Sequence, residues 1–119
     1  MPRANSADRL AEYERRYQEI AREISGIGLI SSGSVTRRFT RCGTATCRCQ
    51  ADPPVLHGPY YQWTTKVNGK TQTRRLSLAE AVLYQEWIAN DRELRRLVEQ
   101  MRQVAAKAAE IKLKEAVAD

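Results

Sequence analysis

Three cysteines and the only histidine of this 119-residue chain fall between positions 42 and 57, in the spacing C-x4-C-x-C-x7-H. Bringing Cys42, Cys47, Cys49 and His57 together requires a sharply folded loop. Once gathered, four soft or borderline donors make a closed tetrahedral Cys3His site for structural Zn2+. Other chemistries fit less well. A disulfide framework wants an even cysteine count and a secretory setting. Iron–sulfur clusters usually take four thiolates. A single reactive thiol would need an activating neighbour, a role open to Arg41 and Arg48, but three clustered thiols resemble ligands more than one nucleophile. With all four positions filled by protein, no coordination site is left for catalysis. The chain also lacks a spare histidine, a polar pair of carboxylates and a phosphate-cradling glycine loop, so a non-enzymatic protein is expected.

The charge is as unevenly placed as the cysteines. The chain carries +6 overall. Between Gly33 and Ser77, eight basic residues (Arg37, Arg38, Arg41, Arg48, Lys66, Lys70, Arg74, Arg75) face one acidic residue, Asp52. The flanks hold twelve basic and thirteen acidic residues. Exposed arginines on a small sheet discourage edge-to-edge pairing and aid solubility. Segregation of the charge to one third of the chain favours a polyanionic partner, because a basic surface releases counterions on meeting phosphate. No apolar run reads as a signal peptide or approaches the roughly 20 residues that span a bilayer. A cytoplasmic location without membrane contact is therefore expected.

Hydrophobic periodicity separates three segments: 1–32, an amphipathic helix and glycine-containing linker; 33–77, the basic zinc-bearing β module; and 78–119, a long helix. The first helix should start after Asn5 or Ser6 and run to about Ile24, with Leu10, Tyr13, Tyr17, Ile20 and Ile24 forming a heptad seam. Ser77-Leu78-Ala79-Glu80 is a capping box opening the last helix, where Leu83, Trp87, Leu94, Leu97, Met101, Val104, Ala108 and Ile111 keep a 3/4 spacing if Asn90 is counted. About 35 residues make a helix near 50 Å long, which a first helix near 30 Å covers only in part. The uncovered stripe points to a homodimer, with Asn90 fixing the register, or to docking on a larger complex. Alternatively the Ala-rich end from Val104 to Ala118 frays until a partner binds it; a marginal solvated helix is the plainer reading, and oligomerisation or a partner is favoured over it.

In the middle the period falls to two. Val35–Arg41 reads as a strand leading into Cys42. Tyr60–Val67 and Lys70–Ser77 flank Asn68-Gly69, a two-residue turn that sets Val67 opposite Lys70, Thr65 opposite Gln72, Trp63 opposite Arg74 and Tyr61 opposite Leu76. Tyr61, Trp63, Val67 and Leu76 should pack inward on the last helix, with Arg74 over the Trp63 ring. The other face carries Tyr60, Gln62, Thr64, Lys66, Thr71, Thr73 and Arg75. It is suited to an aqueous surface and equally to DNA, whose major groove accepts a two-stranded ribbon. Gly43 is expected to permit the reversal after Cys42, and zinc to staple the open end of a three-stranded sheet too small to hold itself.

Phe39-Thr40-Arg41-Cys42-Gly43, Cys47-Arg48-Cys49, His57-Gly58-Pro59-Tyr60-Tyr61 and Gly69-Lys70-Thr71 resemble the signature of a family of short, uncharacterised bacterial and phage proteins. The resemblance spans roughly Gly33 to Arg102. It implies a zinc-knuckle-like module, carried on phage or other mobile DNA, with no established activity. These readings converge on an α+β protein: a three-stranded antiparallel, zinc-stapled sheet between an N-terminal and a long C-terminal helix. It is expected to act as a nucleic-acid-binding or accessory factor, with duplex DNA favoured. Arg37, Arg38, Arg41, Arg48, Lys66 and Arg75 would meet the phosphates. The competing reading is an adaptor whose basic module grips an acidic protein.

Overall fold

The computed structural model describes residues 5–117 of the chain. Its elements run α1 (Ser6–Ser25), β1 (Ser34–Thr40), β2 (His57–Val67), β3 (Lys70–Leu76) and α2 (Leu78–Val117). The sheet is antiparallel in the order β1-β2-β3. The protein is therefore α+β, with one helix before and one after a small open sheet in chain order. Described residues divide into two compact units, one of Leu29–Asp91 and one of the helical residues on either side of it.

Local chemistry sets the helix boundaries. Asn5 caps α1, its Oδ1 accepting the Asp8 amide at 2.8 Å, which satisfies a donor left without a partner inside the helix. At the start of α2 the Glu80 amide donates to Ser77 Oγ, and the Ser77 amide to Glu80 Oε1, each at 3.1 Å. No glycine or proline follows in α2, so the 40-residue helix runs about 60 Å at 1.5 Å per residue.

In the helical unit the heptad face of α1 turns inward, and Ile20, Leu97 and Ile111 form its buried centre. Glu14 pairs with Lys112 at 3.5 Å, and Glu23 acts electrostatically on Arg96. The two helices of this unit are therefore antiparallel.

In the sheet unit the hairpin has the expected register throughout, from Val67 opposite Lys70 to Tyr61 opposite Leu76. Asn68 and Gly69 hold φ of 52° and 78°, the left-handed pair that matches strand twist in a two-residue turn. One sheet face packs against α2 through Trp63, whose ring stacks on Tyr84 at 4.7 Å, and Tyr84 in turn meets Trp87 edge-on. Two expectations fail on this face. Arg74 does not lie over Trp63, because Tyr84 takes that ring face and Arg74 pairs with Glu80. Val67, at the hairpin tip, is 42% exposed, and Thr65 is buried in its place. Its hydroxyl meets Ser32 Oγ at 2.8 Å, which makes burial of a polar group tolerable. In α2, Leu83 is exposed, while Ala81 and Ile88 are buried. Asn90, read as a coiled-coil register residue, donates its side-chain amide to the Leu29 carbonyl at 2.8 Å. Its polarity ties down the linker before β1.

Candidate metal centre and basic sheet face

β1 delivers Cys42 and β2 begins at His57, so the loop between them returns to its own starting point. The Cys47 amide donates to Thr44, and Cys47 leads into a single 3-10 turn, Arg48–Gln50, that holds Cys49. The Val55 amide closes back on the Arg48 carbonyl at 3.1 Å. Gln50 anchors the other side by donating its side-chain amide to the Cys42 carbonyl. β2 starts three residues earlier than hydrophobic alternation suggests, because Thr40 pairs with His57 across a register shift after Arg38. Gly58 makes that irregularity possible. Its φ is +133°, and a Cβ there would stand 2.7 Å from the Arg38 carbonyl oxygen, closer than van der Waals contact allows. Gly43, the glycine expected to permit the reversal, has no such role: a Cβ there would meet nothing within 4 Å.

These turns gather Cys42, Cys47, Cys49 and His57, with all four potential ligand atoms within 4.8 Å of one another. Cys42 Sγ and Cys49 Sγ lie 3.5 Å apart, and Cys47 Sγ is 3.1 Å from His57 Nε2. A tetrahedral zinc with bonds near 2.3 Å sets its sulfurs about 3.8 Å apart. All three cysteines are free thiols. Donor set and spacing both fit a metal ion. Cys49 is fully buried, and its sulfur accepts the Cys42 amide at 3.2 Å.

The environment favours the ligating form of Cys42. A backbone hydrogen bond from Thr44, aided by Cys49, His57 and Cys47, lowers its thiol to about 6. At neutral pH this side chain is mostly thiolate, the form that binds metal. Arg41 and Arg48, the cations considered for that role, are not among the causes. For Cys49 the Cys42 amide pulls downward, but burial and the neighbouring Cys47 and Cys42 sulfurs outweigh it, so the thiol is raised. Proximity of several thiols thus leaves them unequal.

The six basic residues expected at a polyanion interface are all exposed, but they do not share one surface. Register places Arg38, Lys66 and Arg75 on the sheet face opposite Trp63, and Arg37 on the Trp63 face. Arg37 lies over Phe39, 5.1 Å from its centroid. Arg41 and Arg48 belong to the cysteine loop. On the outward face Arg38 donates to Gln62 Oε1 at 3.3 Å, and the Arg75 guanidinium lies 4.0 Å from the centre of the Tyr60 ring. Arg38, Thr40, Tyr60, Tyr61, Gln62 and Arg75 line a shallow concavity of about 320 Å³. The pairing of Tyr60 with Arg75 was not anticipated. It follows from the hairpin register, since Gln62 is opposite Arg75 and Tyr60 is its diagonal neighbour.

The chain belongs to the family DUF6788, a domain of unknown function, whose model matches residues 10–85. The match begins inside α1 and ends early in α2, so most of the N-terminal helix lies within the family's domain, contrary to the resemblance read from Gly33 to Arg102. No curated protein and no solved structure matches the chain. Among the described residues, no helix is long and apolar enough to cross a membrane.

Proposed function

We propose that this protein is a non-enzymatic nucleic-acid-binding or accessory factor whose sheet is held by a structural zinc ion. Cys42, Cys47, Cys49 and His57 would be the ligands. The observation that carries the nucleic-acid reading is the isolation of the cations on the outward sheet face. Among the described residues no ion pair joins Arg38, Lys66 or Arg75 to a carboxylate. Their neighbours are instead an amide and an aromatic ring, so the positive field is not cancelled locally and is directed at solvent. An acidic protein surface is the second class of partner such a field suits. Exposed Leu113 and Val117 near the end of α2 support a second copy of the chain or a larger complex as the companion of the helices. Origin on phage or mobile DNA and a cytoplasmic setting remain part of this proposal.

The test is binding of a fluorescently labelled oligonucleotide followed by anisotropy at about 50 mM salt. An Arg38→Glu, Arg75→Glu double variant should lose at least about tenfold in affinity, since each lost phosphate contact also removes counterion release. Its zinc content should be unchanged. Failure of the unaltered protein to bind any oligonucleotide would sink the reading and leave the acidic-protein adaptor.

A further inference from the structure

Resting on the proposal above, we infer that the outward sheet face takes single-stranded nucleic acid, one base stacking on a platform made by Tyr60 and Arg75. β2 is the central strand, with β1 on one side and β3 on the other. The outward face is thus three strands wide and not a free two-stranded ribbon. Neighbouring strands lie about 4.8 Å apart, so the backbones of the outer strands alone span about 10 Å. With side chains added, that face exceeds the roughly 12 Å width of the major groove of duplex DNA. A splayed single strand has no such limit, because it can lie across the sheet.

The residues on this face suit that ligand. Tyr60 lies on the central strand near its start, half-buried, with the planar Arg75 guanidinium held against its ring. Bases stack on aromatic rings and on arginine planes alike. Gln62 offers an amide beside the platform, held by Arg38 at 3.3 Å, and can bond to base edges. Arg38 on β1 and Arg75 on β3 flank the central strand, and Lys66 extends the charge along β2. Exposed Thr36, Thr71 and Thr73 fill the rest of the face without adding negative charge. A stacking surface bordered by cations on both sides serves single strands, whereas a uniformly basic surface would serve duplexes as well.

The experiment compares labelled single strands of DNA and RNA of one sequence with the corresponding duplex, using the full chain loaded with zinc. Single strands should bind about tenfold or more tightly than the duplex. Tyr60→Leu should weaken single-strand binding about tenfold, leaving the slope of log affinity against log salt unchanged because no charge is lost. Tyr60→Phe should restore binding. Arg38→Gln should lower that slope by about 0.7, one phosphate contact on a single strand. Far-UV circular dichroism and zinc content check that each variant is folded. A duplex bound as tightly as its strands, or a folded Tyr60→Leu protein that binds normally, would overturn the inference while leaving nucleic-acid binding intact. Absence of binding to every oligonucleotide would overturn both.

Discussion

Arg15, Arg16, Arg96 and Arg102 on the helices each meet a glutamate three or four positions away, whereas Arg38 and Arg75 on the sheet meet Gln62 and the Tyr60 ring. On the helices, alternating signs give a neutralised surface in which each exposed pair adds little to stability. On the outward sheet face the same residue type keeps its field, whereas Arg74 on the opposite face pairs with Glu80. Net charge alone would not separate these cases; the local partner does. The two regions also differ in what holds them. The helical unit buries Ile20, Leu97 and Ile111 and relies on apolar packing. The sheet unit buries Leu76, Ala81 and Ile88 where its sheet meets α2, but at the open end of the sheet, away from α2, the fully buried side chain is Cys49.

The largest expected effect breaks that second contrast. Metal removal by chelation, or Cys47→Ser, should unfold the sheet unit while the helical far-UV signal largely survives. A structural zinc contributes on the order of 10 kcal/mol or more to a small metal domain, comparable to a whole domain's stability. Cys47 is the better position to change, because Cys49 is fully buried and its truncation would remove packing as well. The measurement is near-UV circular dichroism, which reports the Trp63–Tyr84–Trp87 cluster, during thermal melting. An unaltered aromatic transition in the metal-free protein would show that both regions are held by packing alone.

Much of the sheet unit was legible because its signals are local and mutually exclusive. Asn68-Gly69 admits essentially one turn, and that turn fixes every pair to Tyr61 and Leu76. Ser77 and Glu80 likewise satisfy each other's amides and admit one helix start. The cysteine spacing announced a cluster, and the structure brings its four members together. The start of α2 was harder. Leu78, Ala81, Val82, Leu83, Tyr84, Trp87 and Ile88 surround that helix almost completely, so 3/4 spacing is met by more than one stripe. Which stripe faces inward is decided by where Trp63 presents its ring, a tertiary fact. Asn90 was misread for the same reason: its partner, the Leu29 carbonyl, lies 61 positions away.

A smaller effect sharpens the account of the loop. Gly58→Ala should destabilise the sheet unit by about 1–3 kcal/mol, the usual strain of a non-glycine residue forced into such a backbone conformation. Gly43→Ala should leave it within about 0.5 kcal/mol, since its Cβ would point into open space. Both are read as shifts in denaturant midpoint at constant zinc loading. Equal effects at the two glycines would mean that the bulge opposite Gly58 relaxes without cost. His57 would then owe its position to the metal more than to the backbone.

The smallest effect lies at the junction of sheet and helix. Ser77→Ala removes the acceptor for the Glu80 amide and should cost about 1 kcal/mol, a fall of roughly 5 °C in a unit of this size. Its reciprocal partner adds a pH dependence of known sign. The Ser77 amide first, then the Ser77 hydroxyl, with Arg74 contributing, hold the Glu80 carboxyl below its ordinary value. A carboxyl whose folded pKa lies below its unfolded one contributes stability that is complete above the unfolded value, near pH 4.3 for glutamate. That contribution is lost as pH falls through the lower folded value. Glu80→Gln should therefore melt below the unaltered protein at pH 6, and the gap should narrow on acidification towards pH 3. Protonation of Glu93, whose carboxyl Arg96 holds below its ordinary value, weakens both proteins alike, so the difference between them isolates the cap. A gap that stays constant across this range would assign the effect of Glu80 to hydrogen-bond geometry, which the glutamine retains in part, and not to its charge.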